Sequence, residues 1–105
     1  MKNMAKDISS RLYEVYKKKG TELGVQEGHY IVALDEENVY ALSPIVYYIW
    51  SKCDGETSVK NIADEILKNV ESEEEIDVNT VYAAVIDVID SLLEVKLLEK
   101  IPSLG

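Results

Sequence analysis

The chain has 105 residues, 47% of them apolar and 30% charged, the proportions of one small domain with a single core. Its net charge of −9 argues against nucleic acid, whose affinity rests on lysine and arginine neutralising phosphates, and against an anionic membrane surface. No apolar run reaches the about 20 residues of a membrane span. No secretory core follows the first residues, and one cysteine, Cys53, excludes an internal disulfide, so a cytoplasmic protein is expected.

Taken in order, residues 7 to 19 carry Ile8, Leu12 and Val15 on a helical period, with Asp7 or Ser9 to cap the start and Lys17 to Lys19 to complement the dipole at the end. This predicts an N-terminal helix, although Leu12 to Tyr16 also suits a strand. Residues 21 to 42 read as β-structure. Thr21 to Glu27 is a weak strand interrupted by Gly24, His29 to Leu34 a stronger one, and Val39 to Leu42 a third, the last two joined by Asp35 to Asn38 as an antiparallel hairpin. Leu42 runs straight into a helix that Ser43 is placed to cap and that Pro44 opens at its first position, where a missing N–H costs nothing. Ile45, Val46, Ile49, Trp50 and Cys53 fall on one face of that helix, and Asp54-Gly55 ends it.

A second helix, capped by Thr57 or Ser58, carries Val59, Ile62, Ala63, Ile66, Leu67 and Val70 on a strong amphipathic period, and the acidic run from Glu71 to Glu75 reads as a loop. The third helix, about Val78 to Val95, is apolar over roughly 200° of its circumference, about twice what packing on one core requires. Two readings stand side by side. The helix is central and covered on both flanks, or one flank is left over as the wall of a hydrophobic groove. Leu97 to Ile101 is a short apolar tail that packs back on the core, and Pro102 ends it.

Catalytic chemistry is not expected. His29 is the only histidine and Cys53 sits at an apolar helical position, so there is neither a nucleophile with its base nor a metal site of usual type. Gly20, Gly24 and Gly28 match no phosphate loop. No cofactor is expected.

A small antiparallel sheet followed by three helices is an α+β, winged helix-turn-helix-like arrangement. Within it, Tyr40-Ala41-Leu42-Ser43, Ile49-Trp50, Asp54-Gly55, then Thr57, Val59, Ile62-Ala63 and Leu67, and finally Leu92-Leu93 and Leu97-Leu98, resemble the PqqD family over about residues 25 to 100. Ser43 stands where that family usually has Asn, and Lys96 where it often has Gly. The resemblance implies a domain over residues 21–101, with residues 1–20 either an N-terminal extension or the family's first strand read here as helix. It implies a non-catalytic adaptor of pyrroloquinoline quinone biosynthesis, or more widely a recognition element for ribosomally made precursor peptides. Such an adaptor holds the leader of the precursor as an added β-strand and presents it to a modifying enzyme, often a radical S-adenosylmethionine enzyme. Carried over residue by residue, the peptide-binding positions are Val39, Tyr40, Ala41 and Leu42 on the strand edge, with Val81, Tyr82, Val85, Val88, Ile89 and Leu92 shared between core and groove on the third helix.

The same fold also serves winged-helix DNA-binding modules and plain protein-interaction domains. A DNA reader needs a polar or basic recognition face, and the third helix presents Asp87, Asp90 and Glu94 instead.

Overall fold

The computed structural model describes residues 8–69 and 77–102. Val70 and the acidic run after it, like Asp7, lie outside the described residues. The stretches of residues 21 to 42 read as β-structure form a three-stranded antiparallel meander of β2 (Thr21–Gln26), β3 (His29–Ala33) and β4 (Val39–Leu42), in that spatial order. The β2–β3 turn places Glu27 and Gly28 at φ of 52° and 82°, the mirror-image turn whose twist matches that of the strands. Asp35 fixes the β3–β4 connection: its Oδ1 accepts from the N–H groups of Glu37 and Asn38, both at 2.9 Å. The hydrogen bond from the Asn38 side chain, then these two, hold the Asp35 carboxyl below its usual pKa.

α2 (Pro44–Lys52) leaves β4 after one residue. Ser43 is extended, as the residue before a proline is driven to be, and its carbonyl accepts from Tyr47 N–H at 2.8 Å. Its hydroxyl makes no cap bond, so the expected side-chain cap is absent and Pro44 opens the helix alone. α2 buries Ile49, Trp50 and Cys53, but Ile45, predicted on the same face, is half exposed. Gly55 adopts the left-handed conformation expected of it, with φ 86°. The second and third helices are α3 (Val59–Asn69), where Ser58 Oγ accepts from Asn61 N–H, and α4 (Val78–Glu94), where Asp77 accepts from Asn79 N–H.

A second sheet departs from expectation. The predicted N-terminal helix is only α1 (Ile8–Leu12), and the chain then turns into β1 (Val15–Lys18), so the two local readings of this stretch divide it between them. β1 is the central strand between β5 (Asp54–Ser58) and β6 (Leu98–Lys100), in the order β5-β1-β6, both pairings antiparallel. β5 occupies residues read as a turn and cap, and β6 those read as an apolar tail.

Among the described residues sixteen apolar ones, from Leu12 to Leu98, form the core, Trp50 among its largest. The Trp50 indole N–H is shared between the carbonyls of Lys19 (3.2 Å) and Leu97 (3.0 Å), joining the end of β1 to the segment after α4. α1 is fastened to α4 by Arg11, whose guanidinium donates to Asp90 and Glu14, both at 2.7 Å. Tyr16 adds a bond from its hydroxyl to the same Glu14 oxygen. Burial alone would raise the Glu14 pKa, but hydrogen bonds from Tyr16, Arg11 and Lys100 outweigh it and hold the carboxylate below its ordinary 4.5. The folded-state pKa thus lies beneath the unfolded one. The contribution is complete above pH 4.5 and is lost as pH falls through the lowered value. Thermal melts from about pH 7 down to about pH 3 should show wild type more stable than Glu14→Gln at the upper end and the two converging at the lower.

α4 ends in a Schellman motif: Leu97 N–H bonds to Leu92 C=O at 2.9 Å and Lys96 N–H to Leu93 C=O at 3.0 Å. Lys96 holds the left-handed position at φ 68°. A side chain is disfavoured there, and glycine is the residue that such a position favours. Lys96→Gly is expected to stabilise the fold by about 1 kcal/mol, read from urea unfolding.

Candidate functional site

In β4, pairing parity decides which backbone groups are free. Leu34 N–H bonds to Asn38 C=O at 2.9 Å, and the register continues as Ala33↔Val39, Val32↔Tyr40, Ile31↔Ala41 and Tyr30↔Leu42. In an antiparallel ladder, hydrogen-bonded and non-hydrogen-bonded pairs alternate. Tyr40 and Leu42 therefore bond to β3, while Val39 and Ala41 turn their N–H and C=O groups to the other side. Among the described residues no strand pairs on that side.

The sheet's other edge, β2, is blunted. A bulge lies between Glu22 and Gly24, and Gly24 sits at φ 130°. Bulges of this kind twist an edge away from further pairing. β4 has no break in its register and remains the flat edge.

Side chains alternate as the pleat requires. Leu42 is buried and Tyr40 half-buried on the helix side; Val39 and Ala41 are exposed on the outer side. α2 packs on β3 and β4, and also on α4, so one helix sets where the strand edge lies relative to α4. The sheet is locked to α2 by Tyr47, whose ring stacks on Tyr30 at 4.0 Å and whose hydroxyl donates to Glu22 at 2.6 Å.

On α4 the structure divides the expected residues. Val85, Ile89 and Leu92 are core. Tyr82 turns to α3, its hydroxyl donating to Asp64 at 2.7 Å, and Asp90 turns to Arg11. At about 100° per residue, Val81 and Val88 lie on the opposite flank, together with Ala84 and Val95. Three of these four are half-buried and Ala84 is exposed. Ala84 and Val95 belong to the wide apolar arc of this helix, and the helical angle groups them with Val81 and Val88.

Among the described residues no group of three or more His, Cys, Asp or Glu side chains could hold a metal ion. The Cys53 thiol is buried and donates to Ile49 C=O at 3.3 Å. Burial pushes its pKa up to about 12, the opposite of what a nucleophile needs. Among the described residues no helix is long and apolar enough to cross a membrane.

The arrangement is thus an open strand edge, with two residues offering unpaired backbone groups, and a helix that keeps an apolar flank. The profile of a protein family described as Coenzyme PQQ synthesis protein D (PqqD) matches residues 29–98, from β3 to β6. No curated protein matches the chain. A solved structure, TbiB1 in complex with the TbiA(beta) leader peptide, is similar with a TM-score of 0.60 at 20% identity, covering 83% of this chain and 99% of that one.

Proposed function

The chain belongs to the PqqD family, and from that premise we propose that it is a peptide-binding adaptor without catalytic activity of its own. It holds the leader of a ribosomally made precursor peptide as an added strand on β4 and delivers it to a modifying enzyme, for which a radical S-adenosylmethionine enzyme is the first candidate. The observation that carries this reading is the open edge at Val39 and Ala41. Backbone pairing there supplies affinity indifferent to sequence, and the side-chain surfaces around it supply choice. The flank of Val81, Ala84 and Val88 on α4 gives the inward side chains of the guest an apolar surface. The solved similar structure named with a leader peptide supports the same reading.

Titration of isotope-labelled protein with the leader peptide encoded beside its gene tests it. The amides of residues 39 to 42 and of the Val81–Val88 flank are expected to shift. Shifts confined to other elements would sink the assignment.

A further inference from the structure

Across β3 and β4 the outer face of the meander is apolar where a solvent-facing antiparallel sheet is usually polar. Ala33 and Val39 lie side by side across β3 and β4, as do Ile31 and Ala41. Leu23, at the bulge of β2, lines a shallow hollow of about 420 Å³ with Ala33 and Val39, and is itself 60% exposed. Two apolar rows therefore span β3 and β4 and stop at the open edge, ending on Val39 and Ala41, while on β2 their register partners are Thr21 and Gly24.

We infer that the guest strand continues these rows, so that it is apolar on both faces and not alternately apolar and polar. This rests on the strand-addition reading and specifies the class of peptide it takes. A guest residue opposite Val39 or Ala41 forms the backbone bonds and points outward, where its cross-strand neighbour is apolar. In an antiparallel guest, the residue between them stands opposite Tyr40 in a non-hydrogen-bonded pair, where side chains approach most closely, and points toward the helices. The recognised core is a run of three successive apolar residues, with β-branched side chains favoured at the outward positions because they fit a pleated surface.

Selection of random phage-displayed dodecapeptides on the full chain tests this. Enriched peptides are expected to share such a run. On the Val39→Lys variant, whose altered side chain projects from the outer face, one outward position should change to Asp or Glu. The peptide selected on wild type should bind this variant roughly three- to five-fold more weakly, the size of one cross-strand pair. Peptides that alternate apolar with polar residues, or an unchanged selection on Val39→Lys, would overturn the inference while leaving strand addition intact. Peptides that bind undiminished to an Ala41→Pro variant, or no enrichment at all, would overturn strand addition and this inference with it.

Discussion

Replacing Ala41 by proline is expected to weaken peptide binding by about 100-fold, roughly 3 kcal/mol, while leaving the fold in place. The substitution removes an N–H that faces the open edge and is not part of the ladder to β3. Proline is tolerated on edge strands in that orientation. The residue before it, Tyr40, is already in a strand, as proline demands. A guest strand, however, loses a backbone bond and meets a pyrrolidine ring along its path. The control is one residue away. Tyr40→Pro removes a bond to β3 and is expected to destabilise the sheet by about 3 kcal/mol. Calorimetric binding and thermal melts on the two variants separate loss of the edge from loss of the fold. Near-native binding by Ala41→Pro would show that Val39–Leu42 is not where the peptide pairs.

Trp50→Ala is expected to be the most damaging single truncation, costing about 3–5 kcal/mol in urea unfolding. Trp50 is 2% exposed, and its indole N–H serves the carbonyls of Lys19 and Leu97. Removing it opens a cavity and takes a shared donor from two carbonyls at once. Lys18 also lies over its ring, 5.1 Å from the centroid. The segment before β2 is therefore tied to the helices through this side chain as well as through β1 and the Arg11–Asp90 pair. From that we propose that residues 8–20, which the family profile leaves out, are needed for stability. A chain starting at Thr21 loses the central strand of the second sheet and is expected to unfold at markedly lower urea than the full chain.

The parts of the fold visible in the sequence were those specified by local pattern. The strand-forming runs His29 to Leu34 and Val39 to Leu42, the Pro44 start and the period of Val59 to Leu67 each mark their own element without reference to distant residues. β1, β5 and β6 carry no such mark. Asp54–Ser58 has the composition of a turn, and Val15–Lys18 ends in lysines. Both are strands because they pair with one another, and Leu98–Lys100 is one because it pairs with Val15–Lys18. Strand preference of this kind is decided by partners more than by the residues themselves.

The candidate site was legible to a similar degree. Val39–Leu42 was readable as a strand, but which of its residues offer free backbone groups depends on the bond between Leu34 and Asn38, which no periodicity contains. The wide apolar arc of α4 was readable as well. Its division was not, because Tyr82 is claimed by Asp64 and Asp90 by Arg11, partners from other elements. Lys96 is the reverse case, where a departure seen in the sequence acquires its cause only from the Schellman geometry at the end of α4.

Residue-resolved amide hydrogen exchange, with and without the leader peptide, tests the strand-addition account most directly. In the free protein, Tyr40 and Leu42 N–H groups are expected to be protected by β3, and those of Val39 and Ala41 to exchange freely. On binding, Val39 and Ala41 should become protected while the other two change little. If the peptide binds and the Val39 and Ala41 amides still exchange as in the free protein, no strand is added at this edge and the account is wrong.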